Sequence, residues 1–268
     1  MTPHFLHHDH VVASLRAGCH VLTEKPVAIT TEDAADMIAE AKKSGRLFGV
    51  ISQNRYLDGI QKAKELIRSG AFGKITGAWS SLNWHRPPSY YECDWKGSWA
   101  KEGGGVVIDQ AIHSIDLVRY LVGQPVRRVI GHIDRRILTQ IEVEDVADAM
   151  IQFEDGVVYS FYACNYYTHN APIRVEVEGE NGRMLLVGDT VTLTLNGKEE
   201  VIRPAVSSSG QFGYWGNCHQ QQIQSFYHSV REGTPIDVTP EDATETLRVV
   251  LSIYQSSREN REIDPREV

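Results

Sequence analysis

A glycine-rich turn is followed by acidic and imidazole side chains at helical spacing. The glycine triplet 103–105 leads into a run that contains Asp109, His113 and Asp116 at positions i, i+4 and i+7. In an α-helix these three side chains share one face. A carboxylate and an imidazole one turn apart can exchange protons near neutral pH. The spacing equally fits a helix with a buried structural histidine and an acid favoured by the helix dipole.

A second candidate is the lysine that follows a short apolar strand. Residues 21–26 read Val-Leu-Thr-Glu-Lys-Pro, so Lys25 comes just after the predicted strand. Side chains at the carboxyl ends of parallel strands face the ligand crevice of an open α/β sheet. A lysine in such a crevice can take up acid–base work. A lone lysine in this setting is more often a surface residue.

The elements around these residues follow from periodicity and turn residues. Short strands are predicted at 20–23 and 47–52, and helices at 8–17, 31–44 and 58–69. Thr30 and Gly45 are the expected caps of the second helix. A strand at 74–83 then leads into residues 84–102, a long loop rich in aromatic residues and proline. Such a loop suits either a sugar ring or packing against a partner subunit.

The second half of the chain alternates as strands do. We expect an antiparallel sheet of strands at 147–153, 157–163, 173–178, 183–187, 191–195 and 199–202. A helix at 217–231 should turn Ile223, Phe226, Tyr227 and Val230 inward, and a last helix at 240–258 begins with a Thr-Pro cap. Such a sheet covers one face with helices and often buries the other in an oligomer.

Composition excludes several functional classes. The 268 residues carry a net charge of −8 with scattered Lys and Arg, which argues against nucleic-acid binding. The sequence has no apolar run of membrane-spanning length and no signal-peptide pattern, so a cytoplasmic protein without a membrane partner is expected. Four separated cysteines without a CxxC motif indicate a reducing compartment. The histidine-rich start lacks further ligands, so no metal site is predicted.

Taken together, these motifs resemble the Gfo/Idh/MocA family of nicotinamide-dependent oxidoreductases along the whole chain. The family pattern of Thr-Pro, a histidine and then Glu-Lys-Pro appears here at 2–3, His7 and 24–26. The glycine triplet with its Asp-x-x-x-His-x-x-Asp run follows in register. Further matches are Gln53-Asn54-Arg55-Tyr56, Trp95-Lys96-Gly97-Ser98-Trp99 and Trp215-Gly216-Asn217-Cys218-His219.

The resemblance implies a reaction and a role for each site residue. NAD or NADP would be the cofactor, and the substrate a sugar, sugar derivative or inositol. His113 would take the hydroxyl proton, Lys25 would bind the reacting oxygen, and Asp109 would bind a substrate hydroxyl. Asp116 is expected to be structural and the bond before Pro26 to be cis. The cofactor side would comprise Thr2, Pro3, His7, Glu24, Lys25, Pro26 and Gln53. The substrate side would comprise Arg55, Tyr56, Trp84, Arg86, Trp95, Asp109, His113 and His219.

The resemblance also sets the expected architecture. Residues 1–54 would be the C-terminal remnant of a doubly wound Rossmann domain, an α/β unit. Residues 55–268 would be an α+β domain with a large, open, mostly antiparallel sheet, which forms a homodimer or homotetramer. The final helix would pack back on the first part. The Gly-x-Gly-x-x-Gly turn of the family is missing from this sequence, so the chain is expected to lack most of its cofactor domain.

Three other interpretations stay open. A relative of this family could use bound NAD for transient oxidation during glycoside cleavage, without net redox change. A truncated chain could act as a non-catalytic scaffold or binding subunit. A sugar-binding protein without chemistry would suit the aromatic loop but leaves the Asp/His helix unexplained.

Overall fold

A computed structural model of the chain describes residues 2–204 and 218–268 and contains two sheets. The smaller sheet pairs β1 (Val21–Thr23) with β2 (Phe48–Val50) in parallel. Helices α1 (His7–Arg16) and α2 (Thr31–Ser44) pack against each other beside it. Of the residues matched in the sequence, Trp215, Gly216 and Asn217 lie outside the described ranges.

Helix α2 begins and ends where its sequence predicts. The Thr30 hydroxyl accepts a hydrogen bond from the Asp33 amide at 3.1 Å, which satisfies one free N–H of the first turn. Gly45 ends the helix in the left-handed conformation, with φ of 64°. The predicted caps are therefore confirmed.

The larger sheet has eight strands in the order β10-β9-β8-β7-β3-β6-β5-β4. Its strands are β3 (Ile75–Asn83), β4 (Val126–Asp134), β5 (Val146–Phe153), β6 (Val158–Cys164), β7 (Arg174–Gly179), β8 (Gly182–Val187), β9 (Thr190–Leu195) and β10 (Lys198–Ile202). All pairs are antiparallel except β3 with β6. The mostly antiparallel sheet expected from the sequence is confirmed, with β3 inserted between β7 and β6.

One face of this sheet is covered by helices and forms the core. Along β5, Ala147, Ala149, Ile151 and Phe153 are buried, whereas Asp148 and Met150 on the other face are exposed. Helix α4 (Ile112–Val122) lies against the inner face, and α6 (Pro240–Glu259) lies against β4 and α4. The other two α-helices within residues 2–204 and 218–268 are α3 (Asp58–Arg68) and α5 (His219–Glu232).

Helix α4 is not preceded by a regular turn, which changes the geometry expected at Asp109. Residues Val107–Ala111 form a π-helical turn before α4 begins. Such turns carry one extra residue and often occur at functional sites. The uniform α-helical spacing predicted from Asp109 to Asp116 is therefore wrong at its first member. The apolar residues Ile108, Ile112 and Ile115 of this run are buried in the core.

Two further expectations need correction. Strand β4 is absent from the predicted strands, because the adjacent Arg127 and Arg128 and the inner glycine Gly131 weaken the apolar alternation that would have marked it. Helix α5 turns only part of its predicted apolar face inward, since Phe226 and Val230 are half-buried but the other two residues are exposed. Ile223 is 39% and Tyr227 68% exposed, whereas the polar Gln222 and Ser229 are buried.

The burial of Gln222 has a clear physical reason. Its side-chain amide donates to the Val50 carbonyl at 2.8 Å, and its carbonyl accepts from the Ser52 amide at 2.9 Å. These bonds satisfy main-chain groups at the end of β2, which apolar side chains cannot do. The need to pair that backbone therefore decides which face of α5 is turned inward.

Helix α6 joins the two parts of the fold. The Thr239 hydroxyl accepts from the Asp242 amide, which confirms the predicted cap. The helix contacts β4 and α4 of the larger unit and also α2 and β2. No helix within residues 2–204 and 218–268 is long and apolar enough to cross a membrane.

Candidate active site

Lys25 lies at the carboxyl end of β1, where the chain leaves the small parallel sheet. The peptide bond between Lys25 and Pro26 is cis, as the sequence led us to expect. The Lys25 ammonium donates to the main-chain carbonyl of Asp109 at 2.5 Å. Its distance to the Asp109 carboxylate oxygen Oδ1 is longer, at 3.4 Å. The structure therefore brings the two predicted residues together mainly through the backbone of the π-helical turn.

The Asp109 carboxylate is almost fully occupied by protein donors. Its Oδ2 accepts from the Tyr90 hydroxyl and the Lys96 ammonium at 2.7 Å each, and from the Gln110 amide at 2.5 Å. The side chain is only 9% exposed. Burial alone would raise the pKa of this carboxyl, but Lys25 and Lys96 outweigh burial and hold the pKa well below its ordinary range. Asp109 is therefore a permanent anion at the centre of a cation cluster.

His113 lines a narrow cleft together with Lys25. The same cleft is bordered by Pro26, Val27, Val50, Ile51, Ser52, Ile112, Asp116, Ala243 and Thr246. Burial, followed by the positive charge of Lys25, lowers the pKa of His113 to about 3. The imidazole is therefore neutral at physiological pH and can accept a proton. A proton acceptor and an ammonium donor thus face one small space.

Asp116 is bound by protein side chains, in keeping with the structural role expected for it. Arg55 binds its carboxylate through two hydrogen bonds of 2.8 and 2.5 Å, and also binds Asp242 at 2.6 Å. The Thr246 hydroxyl donates to Asp116 as well. Arg55 is only 4% exposed, so this fork-shaped ion pair ties α4 and α6 together.

The charged and polar side chains around Asp109 form a cluster, and four of its residues were not predicted as site residues. They are His4, Tyr90, Lys96 and Glu102. His4 donates from Nδ1 to the Glu102 carbonyl at 2.9 Å, and its Nε2 lies 3.7 Å from the Asp109 carboxylate. Lys96 binds Asp109 and approaches Glu102 at 3.4 Å. Tyr90 completes the group. Two signals were available in the sequence, because Lys96 belongs to the matched Trp-Lys-Gly-Ser-Trp segment and Tyr90 to the aromatic loop.

Burial sets the protonation of this cluster. It lowers the pKa of His4 to about 3 and raises the pKa of the Glu102 carboxyl to about 8, where the Asp109 charge adds to the effect. Burial would also lower the pKa of Lys96, but Asp109 outweighs it and raises that pKa. Lys96 is therefore a permanent cation beside a permanent anion.

The residues predicted on the cofactor side border the same strand ends. His7 is buried and donates from Nδ1 to the Pro26 carbonyl at 2.8 Å. Gln53 is buried directly after β2, and Glu24 precedes Lys25. Thr2 is exposed and Pro3 half-buried at the start of the described chain.

The residues predicted on the substrate side do not all converge. His219 lies 3.7 Å from the Glu24 carboxylate, and the Trp95 ring packs edge-on against His4 at 5.1 Å between centroids. These two are near the cluster. Tyr56 instead donates to Asp237 at 2.7 Å beside α5. Trp84 and Arg86 are buried and stack on each other at 4.6 Å.

Among residues 2–204 and 218–268, no group of three or more His, Cys, Asp or Glu side chains is arranged to hold a metal ion. The cleft instead offers an organic substrate a proton acceptor, a fixed cation and apolar walls. That set of groups suits proton removal from a hydroxyl whose oxygen becomes negative during reaction.

Two family models match the chain. Residues 1–52 match the model described as "Oxidoreductase family, NAD-binding Rossmann fold". Residues 60–185 match the model described as "GFO/IDH/MocA C-terminal domain". The matches cover the small sheet, the larger sheet from β3 to most of β8, and the Lys25, Asp109 and His113 positions.

Several curated relatives are named as enzymes of sugars or inositols. The chain is 25% identical to 1,5-anhydro-D-fructose reductase of Ensifer adhaerens, over 96% of this chain and 75% of that protein. It is 28% identical to scyllo-inositol 2-dehydrogenase (NAD(+)) of Bacillus subtilis, over 96% of this chain and 74% of that protein. The chain thus spans about three quarters of the length of these relatives.

Solved structures of an oxidoreductase and a dehydrogenase share this fold. An aldose-aldose oxidoreductase from Caulobacter crescentus, complexed with glycerol, matches with a TM-score of 0.83 and 27% identity, over 98% of this chain and 77% of that one. The WlbA dehydrogenase from Bordetella pertussis, in complex with NADH and UDP-GlcNAcA, matches with a TM-score of 0.83 and 26% identity, over 98% and 77%.

Proposed function

The chain belongs to the Gfo/Idh/MocA family of NAD-binding oxidoreductases, and we propose that it oxidises a hydroxyl group of a sugar, sugar derivative or inositol. The observation that carries this proposal is the cleft shared by Lys25 and His113. A neutral imidazole and an ammonium beside one small space are what removal of a hydroxyl proton requires.

The residues around the cleft fit a nicotinamide cofactor. The cleft lies outside the carboxyl ends of β1 and β2, which is where open parallel sheets bind their ligands. The apolar walls of Pro26, Val27 and Ile51 suit a flat ring. On the cofactor side we place Thr2, Pro3, His7, Glu24, Lys25, Pro26 and Gln53. NAD or NADP, when bound, supplies a hydride acceptor.

We assign the chemistry to two side chains, His113 and Lys25, and the positioning of Lys25 to the main-chain carbonyl of Asp109. His113 accepts the substrate hydroxyl proton on an imidazole nitrogen, because burial keeps that ring neutral. Lys25 donates a hydrogen bond to the reacting oxygen and stabilises its developing negative charge. Asp109 holds Lys25 through its main-chain carbonyl. This assignment replaces the substrate contact expected for Asp109, whose carboxylate already accepts three close hydrogen bonds.

The substrate side is proposed to include Trp95 and His219, which lie near the cluster. Arg55, Tyr56, Trp84 and Arg86 are better explained by their protein partners. We therefore place these four residues in support of the site rather than against the substrate.

We also propose the chain's division and assembly. The division falls after residue 54, since the small sheet precedes it. Helix α6 returns from the larger unit to β2 and α2, and α5 reaches the end of β2 through Gln222. The outer face of the eight-stranded sheet is proposed to bind a second copy. Ile130, Met150, Ser160 and Trp79 lie side by side across β4, β5, β6 and β3 on that face. Three of the four are large apolar side chains with exposures of 38 to 55%.

The first experiment measures cofactor binding and then turnover. We expect binding in a fluorescence titration with NADH or NADPH, followed by reduction of NAD or NADP with a panel of inositols and sugars. A folded chain that binds neither cofactor would contradict the proposal and favour a non-catalytic binding subunit.

The proposed roles of Lys25 and His113 are tested by substitution. Lys25→Ala and His113→Ala are expected to lower kcat by about 10²–10⁴-fold, because each removes one acid–base group. Circular dichroism should stay unchanged. Lys101→Ala is the matched control, since the Lys101 ammonium binds the exposed Asp94 and is 41% exposed on its side chain. Near-normal turnover in both Lys25→Ala and His113→Ala would refute the assignment.

A further inference from the structure

Lys96 occupies a closed position between two aromatic rings. Its ammonium lies 4.4 Å from the centroids of Tyr90 and of Trp95, and its side chain is 12% exposed. Gly97 follows with a φ of 73°, a left-handed conformation, and donates its amide to the Glu102 carboxylate at 2.5 Å. The hydrogen bond from Gly97 to Glu102 thereby fixes the loop backbone next to Lys96. Its ammonium is held against the cluster rather than presented to the cleft.

The two lysines divide the Asp109 residue between them. Lys96 binds carboxylate oxygen Oδ2 at 2.7 Å, where Tyr90 and Gln110 also donate. Lys25 binds the main-chain carbonyl at 2.5 Å and stays 3.4 Å from Oδ1. The negative charge of Asp109 is therefore met chiefly by Lys96. Lys25 keeps a neutral hydrogen-bond acceptor as its closest partner.

This division has a consequence for Lys25. An ammonium carries three N–H donors. A close ion pair with a carboxylate would attract two of them toward Asp109, because charge-assisted hydrogen bonds are stronger than neutral ones. While Lys96 compensates the carboxylate, one donor of Lys25 serves the Asp109 carbonyl and the others remain available to the cleft.

We propose that Lys96 is a positioning residue: it compensates the Asp109 carboxylate and thereby keeps the Lys25 ammonium on the Asp109 carbonyl, with free donors for the reacting oxygen. The inference rests on the proposed function, because it explains how Lys25 would be aimed at a substrate. Lys96 itself does not touch the substrate. Its effect passes through Asp109.

Without Lys96, Lys25 is the remaining lysine beside Asp109. We expect its ammonium to move from the carbonyl toward Oδ1, which would turn its donors away from the cleft. A displacement of about 1 Å in a catalytic group can cost about 100-fold in rate. Substrate affinity should change little, since Lys96 makes no substrate contact.

The kinetic test compares four variants of the full chain. Lys96→Met is expected to lower kcat by about 10–100-fold with KM changed less than about threefold. Lys96→Gln should do the same, and it provides the test if the methionine variant does not fold. Lys96→Arg, which keeps the charge, should recover most of kcat. Lys101→Met removes a neighbouring exposed lysine and should leave both constants unchanged.

A double-mutant cycle tests whether Lys96 acts through Asp109. In an Asp109→Asn background there is no carboxylate to compensate, so adding Lys96→Met should lower kcat by less than about twofold further. Independent, multiplicative losses would overturn the proposal, because Lys96 would then act directly. A kcat of Lys96→Met or Lys96→Gln close to that of the unmodified chain would overturn it as well.

A measurement without turnover separates this inference from the proposed function. The side-chain NMR signal of Lys25, assigned with Lys25→Met, should shift in Lys96→Met but not in Lys101→Met. If no combination of cofactor and polyol reacts, the dehydrogenase proposal is refuted. The NMR signal of Lys25 then still tests the positioning role of Lys96. An unshifted Lys25 signal in Lys96→Met would refute the positioning role, even in an active enzyme.

Discussion

The negative charge of Asp109 is compensated mainly by the donors at its Oδ2, and this arrangement determines which atom of Asp109 Lys25 binds. Three donors meet its Oδ2 within 2.7 Å, whereas Lys25 remains 3.4 Å from Oδ1. A buried carboxylate needs such partners, because an unpaired buried charge is strongly destabilising. The same partners leave Lys25 with the Asp109 carbonyl at 2.5 Å.

The histidine beside Lys25 should show its environment in the pH dependence of the reaction. Burial and the charge of Lys25 lower the pKa of His113 to about 3. A general base is inactive when protonated, so activity is lost as the pH falls through its pKa. We therefore expect kcat/KM to show no loss attributable to His113 between about pH 7 and pH 5, where an unperturbed imidazole would titrate.

The measurement is a pH profile of kcat/KM paired with NMR titration of the His113 ring. The exposed His132 is an internal comparison in the NMR experiment, since it lies on the outer side of β4 at 67% exposure. An imidazole midpoint near pH 6.5 for His113 would contradict the effect of burial that the structure indicates.

The turn before α4 is held by an acid that lies outside the charge cluster. Glu144 accepts hydrogen bonds from the amides of Gly105 and Val107 at 2.8 and 3.0 Å, and from the Tyr254 hydroxyl at 2.9 Å. Amides at the start of a helix lack partners within the helix, so a buried carboxylate stabilises them. Gly105 is required because a Cβ there would collide with the Glu144 backbone.

This anchor should make stability depend on pH. Burial raises the pKa of the Glu144 carboxyl from its ordinary value of 4.5 to about 7 in the folded chain. Between these two values the folded state binds more protons than the unfolded state. The free energy of unfolding contributed by Glu144 therefore falls as the pH rises from about 4.5 to about 7.

Glu144→Gln should remove this contribution, because an amide does not titrate. We expect the loss of stability between about pH 5 and pH 7, measured by urea unfolding, to be smaller in Glu144→Gln than in the unmodified chain. Glu65→Gln, on the exposed side of α3, is the control and should keep the original dependence. Identical pH dependence in all three proteins would refute the role of Glu144.

At the scale of the whole molecule, the outer face of the eight-stranded sheet exposes large apolar side chains. Met150 is 55% and Ile130 48% exposed, and they pair directly across β5 and β4. An exposed apolar patch on a flat sheet is typical of an interaction surface. The row continues through Ser160 to Trp79, so it crosses four strands.

A charge in this row should weaken self-association without unfolding the chain. Met150→Glu is expected to raise the dimer dissociation constant by at least about 100-fold, because an unpaired carboxylate would be buried between copies. Sedimentation velocity over a concentration series measures this change. Ile137→Glu is the matched control, since Ile137 is 61% exposed in a loop outside the row. A monomeric unmodified chain, or unchanged assembly of Met150→Glu, would contradict the proposal.

Much of the architecture could be predicted because the signals are local. The Thr30 and Thr239 caps depend on a few neighbouring residues, and the structure has them where the sequence predicts. The alternation along β5 likewise reads directly as one buried and one exposed face. Strand β4 was not predicted, because its polar residues are held in a strand by their pairing with β5 rather than by a local pattern.

The orientation of α5 and the partners of Asp109 were decided by contacts between distant parts of the chain. Gln222 is buried because the backbone at the end of β2, some 170 positions away in sequence, needs hydrogen bonds. Lys96 belongs to a motif that the sequence contains, but its contact with Asp109 depends on how the aromatic loop folds over the π-helical turn.

The sequence by itself determined the family and the candidate site residues, because both reside in short motifs whose residue types carry the chemistry. Lys25, Asp109 and His113 were identifiable from spacing and resemblance alone. Only the tertiary structure decided which atom of Asp109 each lysine binds, since that depends on charges brought together from separate loops. The physical reason is that residue type and periodicity are local properties of the sequence. The charge compensation and the pKa of a side chain depend instead on its burial and on partners that are distant in the chain.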